Sequence, residues 1–545
     1  MFSTRSHQII ALSVVVAFVV AGAVLAPVTV DRFLGGSEPG QDEIQFEETA
    51  ASCGFEYSTS GNADGSGDGG VFVADADRDG HSDLLAIGGN RPVLFENTNG
   101  GFEQSGTLPD RDYPPLKSAL FFDADGDGWQ DLLLIPREGS PIFLSNQNGD
   151  YHDIDAGFNA TLQWGTGATA ADFDGDGSQE VFVIQNGDWR EGTPRRGPSG
   201  EATDGYPNML FDAGDDGQFE RTDGANVAGT RWSLATAAAD LSGNGSPDIY
   251  VANDYGYDVL LANEGNGTFA RRTIPDTNSH GMATALRDVN SDGHLDVFIT
   301  NIRFQNPQNV WALNSALNVR NTGNMLLLNR GNGTFDEQSA KYGIQQGGWG
   351  WAAVIEDFDN DRAVDIIHAT QDYLRRSDKD GFVGVETRPA LWEGTADGFE
   401  RRNASAAGLV SANGRGLTTL DFDSDGDLDV AVADTSDQFK LYENRDDDGN
   451  WLQVRVHDDG PAIGAHVQVE TNRGTSERVL HSRSNFFAQS TRTLHFGLGD
   501  ATLEQVQVTW PNGTTTDYEN IETNNRLIVH ANGSTSMKRG DESGC

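Results

Sequence analysis

Asp421-Phe422-Asp423-Ser424-Asp425-Gly426-Asp427-Leu428-Asp429 is the stretch that decides the fold. Acidic side chains stand at its first, third, fifth and ninth positions, and a glycine stands at the sixth. A tight turn brings alternate side chains to one centre, and glycine permits the sharp reversal. Carboxylates held that close repel unless a cation lies between them. Calcium accepts six to eight oxygens at about 2.3–2.6 Å in irregular geometry, which suits such a turn.

The register recurs six times upstream, at Asp75, Asp77, Asp79 and Asp83; Asp123, Asp125, Asp127 and Asp131; Asp172, Asp174, Asp176 and Glu180; Asp240, Asn244 and Asp248; Asp288, Asn290, Asp292 and Asp296; and Asp357, Asp359, Asp361 and Asp365. With Asp421, Asp423, Asp425 and Asp429 these are the candidate metal ligands. One Asp/Gly turn is ordinary loop chemistry. Seven in one register, each between apolar runs, point to a repeated cation site. An EF-hand would need a bidentate Glu at position 12, where these copies have Ala86, Leu134, Val183, Val251, Ile299, His368 and Val432. A buried strand follows at once instead, as at Leu84–Ile87 and Val430–Val432, so each turn links two strands.

Around every turn the grammar is the same: a small or apolar strand, the acidic turn, a buried second strand, a third strand and a turn often reading Gly-Asn-Gly-Thr-Phe, whose Phe begins a fourth strand. Successive copies lie 48 to 69 residues apart. Four strands per repeat at that period predict propeller blades, and seven turns predict seven. The fourth-strand signal is missing after the seventh turn, but an orphan copy, Gln45-Phe46-Glu47-Glu48-Thr49, precedes the first. The segment around Phe46 is therefore expected to complete the last blade and cover an exposed edge. Three repeats are long, at 185–207, 301–324 and 371–388, all between second and third strands. These insertions carry Trp189, Arg190, Trp311, Arg320, Tyr373 and Arg375 among otherwise sparse basic and aromatic residues, and read either as variable loops or as a face for a protein or glycan partner.

The predicted order is a membrane anchor or signal segment (1–32), a stalk (33–43), the propeller (44–449), a separate small β-domain (450–531) and a disordered polar tail (532–545). Ile9–Val30 is uncharged, apolar and long enough to span a bilayer as a helix, which favours a retained anchor; small residues at Ala21–Ala23 leave signal cleavage open. Either reading puts the rest at the cell surface or outside the cell. Net charge is −46 over 545 residues, with 83 acidic against 37 basic side chains. Without a basic stripe, a nucleic-acid partner is not expected. Such charge fits a surface adapted to high salt, or simply an acidic secreted protein. Cys53 and Cys545 are too few for a disulfide framework; they could pair, but nothing in the sequence demands it. With no nucleophile elbow and no His-Glu-x-x-His, no enzymatic activity is expected; the alternatives are a polysaccharide-acting propeller enzyme and a structural envelope component.

The Gly-Asn-Gly-Thr-Phe turn with Asp-x-Asp-x-Asp-Gly-x-x-Asp resembles the FG-GAP, or VCBS, repeat of integrin-type β-propellers. Asn450-Trp451-Leu452, Ile463-Gly464-Ala465, Ser490, Leu494–Gly499 and Val508–Gly513 resemble the ASPIC and UnbV domain. The combination is similar to the cartilage acidic protein-like family, which implies an extracellular calcium-binding propeller used in adhesion or recognition. Five to seven structural calcium ions are expected. Ser242 and Asn244 make the fourth turn the weakest, and Arg362, in place of the sixth turn's glycine, puts that turn and its metal in doubt.

Overall fold

Each acidic turn is the tip of an antiparallel hairpin, because a short apolar run lies on both sides of it and the turn itself cannot be buried. The computed structural model describes residues 44–59, 69–188, 194, 201–214, 217–303, 322–371, 373–377, 381–385, 388–395, 398–410, 413–446, 449–457, 462–539 and 545. Among them there is no helix, and therefore none long and apolar enough to cross a membrane. The segment 9–30, expected to be helical, lies outside the described residues, as do Trp189, Arg190, Trp311 and Arg320 of the insertions.

Seven sheets carry the seven turns, each built on four antiparallel strands in up-and-down order, and three of them take a fifth strand beside the first. The first contains Gly70–Ala74, Asp83–Ile87, Val93–Asn97 and Phe102–Gln104. Its first two strands are buried throughout, and its fourth keeps only Phe102 inside. The sequence sets this gradient: inner strands are apolar and small on both faces, whereas the outermost strand alternates. First strands of successive sheets pack against one another, and Gly414–Leu420 of the seventh returns to Gly70–Ala74 of the first, closing the cycle. In the seventh sheet the outermost strand is Phe46–Glu48, antiparallel to Lys440–Asn444 with Phe46 opposite Asn444. The orphan copy thus completes the last sheet, with Phe46 packed edge-on against Phe358 of the sixth turn. Insertion 371–388 contributes its own hairpin, Tyr373–Ser377 with Gly381–Val385.

Residues 450–539 form two facing four-stranded sheets. One holds Asn450–Val456 between Thr493–Gly499 and Asn525–Val529; the other holds His466–Thr471 between Gly474–Val479 and Leu503–Thr509. Alternate residues such as Leu452, Val454, Val467, Val469, Val506 and Phe496 fill the space between them.

Two expectations need correction. Thr535–Arg539, placed in the disordered tail, is a strand paired with Asn525–Val529, and Cys545 is disulfide-bonded to Cys53. The C-terminal β-domain keeps its own two sheets but does not stand clear of the other seven. Its segment 482–489 lies among the first strands: Ser482–Ser484 pairs with Trp232–Ala239, and Ala488–Gln489 runs parallel to Val71–Phe72. Gln489 exchanges two hydrogen bonds with the backbone of Phe121 (2.9 and 3.0 Å), and the Asn485 side chain donates to the carbonyls of Ala353 and Leu417. The first strand of an up-and-down sheet has a free edge of peptide groups that must find partners when buried. The inserted segment supplies them, which explains its run of Ser, Asn and Gln among Phe486 and Phe487.

Phe46 is 6% exposed, and truncating a buried Phe costs about 3–5 kcal/mol. F46A should lower the unfolding free energy by about 3 kcal/mol in urea, whereas the same change at exposed Val410 should stay within about 0.5 kcal/mol.

Candidate metal centres

The turns hold their acids through the backbone. At the sixth position Gly80, Gly128, Gly177, Gly245, Gly293 and Gly426 all have φ between 84° and 103°, a region open to glycine at little cost. In the first six turns the sixth residue's N–H donates to the first acid, for example Gly128 to Asp123 (3.0 Å) and Gly293 to Asp288 (2.9 Å). Arg362 does the same for Asp357 (3.0 Å) and adopts φ 84°. The sixth turn therefore keeps its shape without the glycine; the arginine is held in a conformation costing on the order of 1–3 kcal/mol.

The ninth position has a second task. Asp83 accepts the Ala76 N–H on one oxygen (2.7 Å) and the Asn97 N–H on the other (2.8 Å). Asp131, Asp248, Asp296, Asp365 and Asp429 repeat this pair of bonds, linking the turn to the third strand. Glu180 keeps the turn bond, to Phe173 (2.6 Å). These acids brace the turn whether or not they also touch a cation.

Three ligand-bearing groups converge within 4.8 Å in five turns: Asp75, Asp77 and Asp83; Asp123, Asp125 and Asp127; Asp172, Asp174 and Glu180; Asp357, Asp359 and Asp361; Asp421, Asp423 and Asp425. The remaining predicted residues take other places. Asp79 and Asp176 cap the backbone of their own turns, at His81 and Ser178 (both 2.8 Å). Asp240 and Asn244 of the fourth turn, and Asp288, Asn290 and Asp292 of the fifth, form no such carboxylate triad among the described residues, because an amide or hydroxyl replaces a carboxylate. Asn290 spends its amide on Asp292 (2.9 Å).

All-oxygen donor sets of this kind suit a divalent cation, and three of the five clusters, the third, sixth and seventh turns, carry a further sign of one. Asp357 Oδ1, Asp421 Oδ1, Asp423 Oδ1 and Glu180 Oε1 are buried oxygens without a hydrogen-bond partner. A buried carboxylate oxygen left alone is costly, and oxygen ligation is what hard cations offer it. Burial, and then the neighbouring carboxylates, push Asp357 up to about 7, while Asp425, Asp365 and Asp429 are raised for the same reasons. Burial lifts Asp83 and Glu180 to about 8 against the N–H bonds they accept.

Sequence reasoning missed two sets of residues. Asn97, Asn146, Asn263, Asn329 and Asn444 end the third strands, and each donates its side-chain amide to a second-position carbonyl in the neighbouring sheet's turn: Phe422, Ala76, Phe173, Leu241 and Phe358, at 2.7–2.9 Å. The repeated Asn just before the following turn was the available signal. The C-terminal domain also reaches the turns. Arg526 (3.1 Å) and Gln453 (2.8 Å) bond Asp421 Oδ2, Arg455 pairs with Asp75, and His495 meets Asn360 (2.8 Å).

The FG-GAP-like repeat profile matches residues 75–134, 123–183 and 240–299, and the ASPIC and UnbV profile matches 456–536. The chain carries both. Cartilage acidic protein 1 of Homo sapiens is 24% identical over 461 residues, which are 82% of this chain and 60% of that protein. The Mus musculus protein is 28% identical over 277 residues, 49% of this chain and 40% of its own length. The chain thus spans 40–60% of the length of these curated relatives. Among solved structures, an Agrocybe aegerita lectin that recognises non-reducing terminal N-acetylglucosamine aligns with TM-score 0.40 at 16% identity, covering 62% of this chain and 81% of the lectin. The V. cholerae biofilm matrix protein Bap1 aligns with TM-score 0.30 at 12% identity, covering 82% of this chain and 65% of Bap1.

Two outcomes are expected. Carboxyls raised in the folded state contribute stability that is complete below about pH 4 and is lost as pH rises through 7–8, unless a cation replaces the proton. The melting-temperature gap between calcium-loaded and EGTA-treated protein should therefore widen from pH 5 to pH 8 in differential scanning fluorimetry; a constant gap would contradict the assignment. N146A leaves the Ala76 carbonyl unpartnered and should lower stability by about 1–3 kcal/mol in denaturant titration.

Proposed function

We propose that the chain is a non-enzymatic, calcium-braced, seven-bladed β-propeller that works in adhesion, or in recognition of a protein or glycan, at the cell surface or outside the cell. The observation that carries this reading is the set of buried carboxylate oxygens without partners in the acidic turns. Binding to the folded state alone stabilises it, so calcium turns a ring of repelling acids into a brace. Closure by Phe46–Glu48 and the cycle of first strands support the seven-bladed form. The Cys53–Cys545 disulfide fits an oxidising compartment, and the relatives named cartilage acidic protein 1 support an extracellular setting. Ile9–Val30 would anchor the chain.

Partners would approach the face of the insertions at 185–207, 301–324 and 371–388. At the start of the inner strands on that side Trp349 and Trp351 stack (6.0 Å between centroids), and the Arg415 guanidinium lies 3.7 Å from the centre of Trp351. Stacked aromatic rings beside a cation suit sugars and protein side chains alike.

Purified full chain, immobilised and washed with cell-envelope or matrix extracts, should retain a defined protein or glycan in calcium and release it in EGTA. Breakdown of polysaccharides or phosphate esters by the same preparation would overturn the non-enzymatic reading.

A further inference from the structure

We infer that Arg415, at the inner end of the insertion face, is the receptor for a carboxylate carried by an acidic peptide. The inference rests on the partner-face reading above and gives that face a contact residue and a ligand class.

Arg415 stands at the start of Gly414–Leu420, the first strand of the seventh sheet, which packs on Gly348–Glu356, the first strand of the sixth. Its guanidinium carbon lies 3.7 Å from the centre of the Trp351 ring. Among the described residues the guanidinium makes no hydrogen bond and no ion pair, and its Nε is buried. Burial by itself pushes the group down to about 9, with no neighbouring charge contributing. A guanidinium offers five N–H donors, and a ring face satisfies none of them as an acceptor oxygen would. An unpaired cation out of water is costly. Pairing it would be easy in this chain, because 83 acidic side chains compete for 37 basic ones. Elsewhere arginines do find acids: Arg287 meets Glu356 (2.9 Å), Arg402 meets Glu393 (2.7 Å) and Arg526 meets Asp421 (3.1 Å). At Arg415 the carboxylate is missing, and that is what a ligand would bring.

The surroundings select the ligand. Trp351 carries Arg415, stacks with Trp349 (6.0 Å between centroids) and meets Phe486 (4.8 Å), while its Nε1–H donates to Gln371 (2.9 Å). The ring is thus already covered and is no platform for a sugar. What stays on offer is the planar fork of the guanidinium, which matches a carboxylate bidentately. Leu234, Met282, Ile302 and Phe486 cluster with the two tryptophans, so the fork lies in apolar surroundings, where a charge pair is stronger and sugar hydroxyls find no partners. Net charge −46 repels anions at long range, but that field is screened beyond about 8 Å at physiological salt, so contact chemistry decides. Beside Phe486, Phe487 is held at φ 49°, a left-handed conformation that favours glycine, and backbone strain of this kind collects at ligand sites.

Fluorescence anisotropy of the full chain in calcium and physiological salt tests this, with end-capped, fluorescein-labelled hexaglutamate as the probe and hexaglutamine as its uncharged match. Hexaglutamate should bind saturably and hexaglutamine should not. R415K keeps the charge but loses the fork and should weaken binding about tenfold or more, and R415M should abolish it. R415M also removes an unpaired cation, so it should melt at the parent's temperature or above it. No saturable binding, equal binding of hexaglutamine, affinity unchanged in R415M, or tighter binding of trigalacturonate than of hexaglutamate would overturn the proposal. So would a clear fall in the melting temperature of R415M, which would make the stack on Trp351 structural. If the chain still retains a partner from extracts when one of these results is found, the partner-face reading stands and only the assignment of Arg415 fails.

Discussion

The structure depends on carboxylates placed where water is scarce. Each acidic turn joins two strands of its sheet; its first and ninth acids turn toward backbone N–H groups, while acids such as Asp125, Asp127, Asp174 and Asp176 stay exposed. Charge taken out of water must be paired, ligated or protonated. Backbone N–H groups meet part of that need: the first acid takes the sixth residue's N–H, and the ninth takes one from the turn and one from the third strand. What remains, in the third, sixth and seventh turns, is a buried carboxylate oxygen or two without a hydrogen-bond partner, the donor type that hard cations take. The carboxylate clusters are thus a consequence of how the turn is built.

The same turns organise the rest of the molecule. Third-strand asparagines tie five of the turns to a neighbouring sheet, so the order of one turn supports the next sheet. The C-terminal domain settles on the turns through Arg455, Gln453 and Arg526, using charges complementary to the first acids. From there it sends 482–489 along the first strands, where backbone edges would otherwise be buried unpaired. Acidic turns, asparagine links and the inserted segment all answer one requirement: buried polar groups in a ring of sheets need partners.

Much of this was legible in the chain. Period and strand pattern gave four strands per repeat, and the orphan copy at Phe46 located the closing strand because its absence at the other end could be counted. The acids were legible as a group but not in their division of labour. A carboxylate that ligates and one that accepts two N–H bonds look alike in sequence, so the bracing bonds of Asp131 and Asp429 were not legible there. Arg362 misled for a related reason: glycine's freedom was taken as a requirement, whereas an arginine tolerates the same φ when the surrounding bonds fix it. The inserted segment was missed because it pairs with strands more than two hundred residues away and lacks the alternation of an independent strand. Polar residues such as Asn485 and Gln489 betray their partners only once the ring is known. Local periodicity reports what a segment does with its neighbours, and this segment does its work elsewhere.

Direct counting of bound calcium tests the central claim most sharply. Equilibrium dialysis of the chelator-stripped full chain against radioactive calcium should saturate at about five or more ions per chain, one for each carboxylate cluster. Saturation at about one ion, or no binding, would contradict it.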